Sequence, residues 1–269
     1  MRWGRLAAVA FPKRPWLTLG WVVLIAYVIF AGARLDFTWD RFMVGLDNAA
    51  RFLGRMFPPA ALQPDSMIKG LLESLEIAVL ASFCGVLLSL PLGVFAARNL
   101  MPAWVSWPAR TTIALSRSFH PVIVAILFVK AVGFGAMAGI LTLIVASIGF
   151  IGKLFAEAIE EISLKQVEAV RASGAPFMSV LTYGVFPQVF SRFVGFATYQ
   201  IDSNLRNSTM VGIVGAGGIG GTLFAAFQRF DYDFVCAILI AIIVMIMIGE
   251  SLARWVRKIL AVDVSSANA

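Results

Sequence analysis

The chain has 269 residues, of which 60% are hydrophobic and only 14% are charged, and its mean hydropathy is +0.87. Soluble globular domains carry about 25% charged residues, so this composition excludes an ordinary soluble protein. It indicates an integral membrane protein whose apolar segments cross the bilayer as helices. The net charge of +7 comes from basic residues that lie mostly at the ends of apolar runs. That distribution indicates membrane topology, and no nucleic-acid partner is expected.

The apolar runs predict six membrane-spanning helices in an all-α fold. They are expected at about 17–33, 68–97, 110–132, 138–156, 188–211 and 232–253. The first run follows a basic segment and is long for the apolar part of a signal peptide, so a retained anchor helix is expected. A second basic cluster follows the sixth run. Basic residues favour the cytoplasmic side, and both termini are therefore predicted to be cytoplasmic.

Residues 35–66 are mixed in composition and contain several aspartates, prolines and aromatic residues. They are expected to form an external loop that holds a short interfacial helix, although Arg41, Arg51 and Arg55 run against the topology rule there. The predicted organisation is an N-terminal region (1–66), a transmembrane domain (67–260) and a cytoplasmic tail (261–269). Within the transmembrane domain, a cytoplasmic loop is expected at 160–187.

Candidate catalytic and cofactor motifs are poor. The segment 215–220 matches G-x-G-x-x-G, but it lies between two spans in a chain without alternating strands and helices, so a dinucleotide site is rejected. Gly152-Lys153 is not a phosphate loop because Leu154 replaces the required Ser or Thr. The chain is not expected to hydrolyse ATP.

The sequence also offers few metal ligands. Cys84 and Cys236 both lie inside apolar runs and are expected to be small buried side chains. His120 is the only histidine and precedes Pro121, which is typical of a polar residue at a helix entry. No metal, bound cofactor or catalytic set is therefore expected in this chain.

The polar segment between the fourth and fifth apolar runs has clear turn chemistry. A short helix is predicted from about Leu164 to Ser173, ended by Gly174 in the left-handed conformation. Pro176 then opens the next turn. The segment is expected to form a rigid helix-turn-helix that projects from the membrane domain.

The same segment reads Glu168-Ala169-Val170, then Gly174, then Phe186-Pro187. It resembles the cytoplasmic EAA loop of ABC importer permeases, whose pattern is E-A-A, three residues, Gly, nine residues and I-x-L-P. The Glu, Gly and Pro are in register, whereas the third Ala and both aliphatic positions differ. The resemblance implies that an ATPase subunit, which itself binds ATP and Mg, docks here. The coupling residues it implies are Glu168, Ala169, Arg171, Gly174 and Pro187.

A polar run interrupts the fifth predicted span at 199–209. Charges at membrane depth are costly and usually face a cavity or a partner. Asp202 and Arg206 are four residues apart and could simply pair on one helix face. Alternatively, this face could pass a hydrated anion, with Arg206 contacting an oxyanion. The candidate translocation residues are Asp202, Asn204, Arg206, Asn207, Ser208, Thr209, Gly217 and Gly218. The glycines could equally form a simple external turn.

The run from Asp202 to Thr209, followed at once by Met210-Val-Gly-Ile-Val-Gly-Ala-Gly-Gly-Ile-Gly, resembles the corresponding region of phosphonate-type ABC importer permeases. With the EAA-like loop, the resemblance covers residues 60–260. It implies a MetI-like type I permease fold and a homodimer in the inner membrane lipid. It also implies an ATPase dimer at the cytoplasmic face and a periplasmic or lipid-anchored protein that delivers phosphonate, phosphite or a related phosphorus oxyanion.

Other functions remain open at this point. A permease for another solute such as methionine would carry the same coupling loop. An ion-coupled secondary transporter would show paired half-repeats and acidic residues at mid-span, and only Asp202 qualifies. A membrane-embedded enzyme is disfavoured because one histidine and two separate cysteines are poor catalytic material.

Overall fold

The computed structural model describes residues 15–35 and 38–266, and every regular element in this part of the chain is helical. Contacts divide the chain after Arg55 into two compact units. The first unit contains α1 (Pro15–Arg34) and all of α2 (Trp39–Met56) except its last residue. Apolar side chains are exposed around the whole of α1, as expected for a helix surrounded by lipid. The helix predicted within residues 35–66 is present as α2, whose sequence is amphipathic.

The second unit is a bundle of helices. They are α3 (Pro64–Ala96), α4 (Ala103–Ser118), α5 (Pro121–Val132), α6 (Ala136–Glu160), α7 (Leu164–Ala172), α8 (Phe177–Ser179), a π-helical turn (Val180–Val185), α9 (Phe186–Ile213), α10 (Ile219–Gln228) and α11 (Tyr232–Ser266). Helices α3, α6 and α9 pack together at the centre. The other helices are arranged around this group of three.

Small residues determine how closely α3 and α6 approach each other. The buried face of α3 consists mainly of Gly, Ala and Ser at intervals of three or four residues. A Cβ at Gly85 would lie 2.4 Å from Cβ of Ser147, and one at Gly93 would lie 2.7 Å from the ring of Phe155. Within a membrane, helix association depends on such close packing because lipid and apolar side chains are equally hydrophobic. The small-residue face of α3 therefore sets the α3–α6 distance.

The third predicted span differs from the structure. The uninterrupted helix expected at 110–132 is wrong, because α4 and α5 meet there at an angle of 94°. Pro121 is the reason: proline disfavours the helical conformation of the residue before it, and His120 has an extended backbone. The imidazole Nδ1 of His120 accepts a hydrogen bond from the Val122 N–H at 3.3 Å. His120 thus acts as the helix cap that its position suggested.

The count of spans also differs from six. Four helices are long and apolar enough to cross a membrane, namely α1, α3, α6 and the part of α11 up to Trp255, and the bent pair α4 and α5 would make five. The remaining predicted span corresponds to α9. It is a helix of 28 residues, about 42 Å long at 1.5 Å per residue, but its polar run lowers its hydropathy. Its status as a span stays a prediction.

The second unit has two distinct ends. At one, which we call the α7 end, the last turns of α3 and α6 meet: the Arg98 N–H donates to Glu160 Oε1 at 2.8 Å, and Asn99 Nδ2 donates to the Ile159 carbonyl at 2.7 Å. At the other, which we call the glycine-turn end, residues 214–218 connect α9 to α10. There the Gly135 N–H donates to the Gly215 carbonyl at 3.0 Å.

Candidate functional site

The helix predicted after the fourth span is present as α7, Leu164–Ala172. One residue anchors it: Val167 is 1% exposed and packs into a cluster that includes Val180, Val185 and Val189. Most of the remaining surface of the helix is exposed and polar. It carries Lys165, Gln166, Glu168, Ala169, Arg171 and Ala172. The helix therefore presents an open polar face while its other face is fixed to the core.

Hydrogen bonds fix the start of α7 to α9. The amide of Gln188 accepts from the Ser163 N–H at 3.0 Å and donates to the Gly184 carbonyl at 2.6 Å. Arg192 forms a salt bridge with Glu161 at 2.6 Å. Gly184 allows close packing, because a Cβ there would lie 3.3 Å from Cα of Val167. A displacement of α7 would consequently be transmitted to the start of α9.

The predicted turn is also present. Gly174 has a φ of 75° and follows the last turn of α7, and Pro176 precedes α8. Beyond it, the backbone widens into the π-helical turn just before Pro187. Proline lacks an N–H and its ring clashes with the carbonyl four residues earlier, so a wider turn at this point relieves the clash. π-Helical turns inside α-helices are frequent at functional sites.

The polar run of α9 divides into two groups with different surroundings. The first is buried and lies between α3, α6 and α9. Asn204 is 0% exposed, and its Nδ2 donates to Ser82 Oγ and to Ser147 Oγ, both at 2.9 Å. Gln200 Nε2 donates to Ser147 Oγ at 2.9 Å and to Asn204 Oδ1 at 3.0 Å. These bonds join the three central helices, and they place Asn204 in the packed interior.

The second group is charged and partly exposed. Arg206 pairs with Asp202 at 2.6 Å, as the four-residue spacing suggested, and also with Glu250 of α11 at 3.0 Å. Oδ1 of Asp202 is buried and has no hydrogen-bond partner among the described residues. Glu250 was not predicted as a partner because it lies 44 residues from Arg206 in the sequence. Its one signal was a carboxylate inside a strongly apolar run.

The other polar residues of α9 differ among themselves. Ser208 is buried and donates to the Leu205 carbonyl at 2.8 Å. The hydroxyl of Thr209 is buried and has no partner in the described part of the chain. Asn207 is half-buried and forms a long bond of 3.4 Å with Ser203. The structure therefore groups Asp202 and Arg206 with Glu250, and it separates them from Asn204.

The glycine turn is part of the packed interior. Gly217 and Gly218 have φ values of 81° and 79°. A Cβ at Gly218 would lie 2.4 Å from Ser74 Oγ, and the Ile219 N–H donates to the same oxygen at 2.9 Å. A Cβ at Gly217 would lie 2.7 Å from Glu73 Oε1. The turn is thus held between α3 and the start of α6. Among the described residues, no three His, Cys, Asp or Glu side chains are grouped as a metal site would require.

A comparison with protein-family models matches residues 89–265 to the binding-protein-dependent transport system inner membrane component. This match spans more than half of the chain and includes α7, the glycine turn and the polar run of α9. The chain belongs to this family. It is accordingly a membrane transport permease and not an enzyme, and membership implies an ATPase partner and a substrate-binding protein.

Two relatives are similar over most of the chain. The phosphate-import permease protein PhnE of Mycolicibacterium smegmatis is 40% identical over 225 residues, which cover 82% of this chain and 41% of that protein. This chain therefore spans less than half the length of that relative. The phosphite transport system permease protein PtxC of Stutzerimonas stutzeri is 38% identical over 248 residues, with 90% of both chains covered.

The fold is similar to solved ABC importer permeases. An inward-facing structure of the MetNI methionine ABC transporter matches with a TM-score of 0.61 over 71% of this chain and 94% of that chain. The sequences are 22% identical in this comparison, so the likeness concerns the fold alone. It confirms the predicted MetI-like permease fold.

Proposed function

We propose that this protein is the permease subunit of an ABC importer for phosphonate, phosphite or a related phosphorus oxyanion. The observation that carries the proposal is α7, a helix that is anchored in the core by Val167 while it exposes a polar face. The EAA-like pattern lies on this helix and on the turn that follows it. The substrate class is supported by the names of the two relatives, which refer to phosphate and phosphite.

The exposed face of α7 is the proposed docking surface for the ATPase. Glu168, Ala169 and Arg171 are available for contact, and Gly174 sets the angle of the following turn. When two ATPase subunits close on ATP and Mg, each moves the α7 that it holds. Gln188 and the π-helical turn before Pro187 pass this motion to α9. The result is a population shift between inward-open and outward-open states.

The proposed translocation pathway uses the exposed polar part of α9. The side chain of Arg206 is 41% exposed even though it contacts Asp202 and Glu250, so part of it remains accessible to an oxyanion. Asn207 lies one residue further along the same helix. Asn204, Ser208, Thr209, Gly217 and Gly218 would support this pathway by fixing the helices around it.

The assembly we propose is a homodimer, because each of two ATPase subunits needs one α7 to hold. The protein would lie in the inner membrane with both termini cytoplasmic, and the α7 end would face the cytoplasm. A periplasmic or lipid-anchored binding protein would deliver the substrate at the glycine-turn end. A methionine importer has the same fold, so the nature of the solute must be tested directly.

The test is reconstitution of the chain with its partner ATPase and binding protein in proteoliposomes. ATP hydrolysis is measured with phosphonate, phosphite, phosphate or methionine present. We expect stimulation by a phosphorus oxyanion. It should be lost in Gly174→Val, because a β-branched residue tolerates the left-handed conformation poorly, and retained in Gly174→Asn, because Asn tolerates it. Stimulation by methionine alone would overturn the substrate class, and normal coupling in Gly174→Val would overturn the role of the turn.

A further inference from the structure

A second group of charged residues lines a cleft that the proposed function does not use. The cleft lies between α4, α6 and the end of α3, and its volume is about 480 Å³. This volume falls within the range of about 300–1,000 Å³ that is typical of small-ligand sites. Its cationic lining residues are Arg98, Arg110, Arg117 and Lys153.

The cleft carries an excess of positive charge. Arg110 forms an ion pair with Glu160 and also donates to the Ala96 carbonyl at 2.8 Å. Lys153 pairs with Glu157 at 3.4 Å. Neither Arg98 nor Arg117 forms a side-chain salt bridge with another described residue, although the backbone N–H of Arg98 donates to Glu160. Two of the four cationic side chains are therefore paired with carboxylates, and the two that are not paired are both arginines.

Arg117 is exposed, but the stem of its side chain packs on α6. Its Cγ would be 2.8 Å from a Cβ added at Gly149, so Arg117 packs against the middle of α6. Gly149 is eleven residues before Glu160, the last residue of α6, which is a distance of about 16 Å along the helix. The predicted span ends at about residue 156, so Gly149 lies about 10 Å inside it. An unpaired charge at such depth is costly unless it faces a wet cavity or a ligand.

The four cations also follow a line. Arg117 of α4 lies beside the middle of α6. Lys153 of α6 and Arg110 of α4 lie nearer the end of α6, and Arg98 follows the end of α3. The line ends at the α7 end of the molecule, beside the contact between Glu160 and Arg98. A row of positive charges along a partly enclosed cleft attracts anions and raises their local concentration.

We propose that this cleft is a binding site for a phosphorus oxyanion, with Arg117 as its inner and Arg98 as its outer contact. Arginine suits this ligand because its planar donors match the oxygens of phosphate-like groups. The oxyanion has two sources: free cargo, in which case the site rests on the proposed function, or the headgroup of an anionic phospholipid. Basic pockets between spanning helices on the cytoplasmic side are known to hold such headgroups.

The test measures access of charged reagents to the cleft in the full chain assembled with its ATPase. Cys84 and Cys236 are replaced by alanine, and a single cysteine is placed at Ala114, which lines the cleft. We expect an anionic methanethiosulfonate to react there faster than a cationic one by about tenfold, relative to a control cysteine at Ser66. Arg117→Gln should abolish most of this preference, and Arg117→Lys should retain it. Arg229→Gln, an exposed arginine outside the cleft, should change nothing.

Ligand protection then identifies the source. In phosphatidylcholine nanodiscs, phosphite or methylphosphonate should slow the anionic reagent more than chloride at equal ionic strength, because chloride only screens charge. If the anionic reagent is slowed only in nanodiscs that contain phosphatidylglycerol, and not by phosphite or methylphosphonate, the site binds lipid headgroups. No protection by either, or an unchanged preference in Arg117→Gln, would overturn the site. The labelling experiment does not require transport. If the cleft shows the expected labelling in a complex that imports no phosphorus oxyanion, the proposed function is contradicted but the binding site is not.

Discussion

Two turns, one at each end of the second unit, use the same backbone conformation in different surroundings. Gly174 and Gly218 have φ values of 75° and 79°. A Cβ at Gly174 would meet no atom within 4 Å, whereas one at Gly218 would lie 2.4 Å from Ser74 Oγ. The turn at the α7 end therefore needs glycine for its dihedral angle alone. The turn at the glycine-turn end needs it for both angle and space, as expected where a loop is packed among helices.

The difference has a functional counterpart. At the α7 end, a rigid helix with an exposed polar face is available to a partner and is tied to α9 by side chains such as Gln188. At the glycine-turn end, α9 and α10 are fixed against α3 and α6 through backbone and hydroxyl contacts. In the proposed function, the α7 end is moved by the ATPase, whereas the glycine-turn end holds the helices at a fixed spacing.

The largest expected effect separates the two glycines directly. Gly218→Ala should lower the free energy of unfolding by about 2–5 kcal/mol, because it adds backbone strain and a clash with Ser74. Gly174→Ala adds only strain and should cost about 1–2 kcal/mol. The measurement is the thermal midpoint of each variant in detergent. An equal decrease in the thermal midpoint of both variants would show that the space around Gly218 can accommodate a Cβ.

The next effect concerns the region between the two ends. Asn204→Ala should destabilise the protein by about 1–3 kcal/mol, because it removes three buried hydrogen bonds, those to Ser82, Ser147 and Gln200. The matched control is Asn207→Ala, three residues along the same helix. It removes one long bond and should cost less than about 1 kcal/mol. A larger loss for Asn207 than for Asn204 in thermal unfolding would contradict this ranking.

A smaller effect is expected where α7 packs on the π-helical turn. Gly184→Ala places a Cβ 3.3 Å from Cα of Val167, so α7 must shift by a few tenths of an ångström. We expect a stability loss of about 1 kcal/mol and a clear fall in ATPase stimulation by the loaded binding protein. The comparison is Gly195→Ala in α9, where a Cβ would meet no atom within 4 Å. Equal stimulation in both variants would show that α7 tolerates the displacement.

The smallest effect is expected for the exposed salt bridge between Arg192 and Glu161. Both side chains are more than half exposed, so Arg192→Gln should cost less than about 1 kcal/mol, and the cost should shrink further at high salt. Thermal unfolding at low and high ionic strength measures this. A large, salt-independent loss would mean that the pair positions α7 more strongly than its exposure suggests.

Local chemistry made α7 and its turn predictable from sequence. Gly174 and Pro176 are strong signals, and they mark the end of α7 and the start of α8. The break at His120 carried an equally strong signal in Pro121, but the apolar character of the run outweighed it in the prediction of one span. Residue types and periodicity thus located most helices, and they failed where one proline determined the backbone.

Contacts between distant parts of the chain could not be predicted in the same way. The pairing of Asp202 and Arg206 follows from helix spacing, but the contribution of Glu250 depends on the packing of α11 against α9. The same holds for the cleft around Arg117, which is formed by three helices. The burial of Asn204 likewise depends on Ser82 and Ser147, whose helices meet only in the folded bundle.

The most direct test of the coupling role is photo-crosslinking from the two ends in the complex with the ATPase and binding protein. A photoreactive amino acid is placed at Ala169, on the exposed face of α7, or at Phe134, which is 85% exposed near the glycine turn. We predict crosslinks to the ATPase from position 169, with a yield that changes on ATP binding, and none to the ATPase from position 134. A complex that hydrolyses ATP yet crosslinks to the ATPase from position 134 and not from 169 would contradict this role of α7.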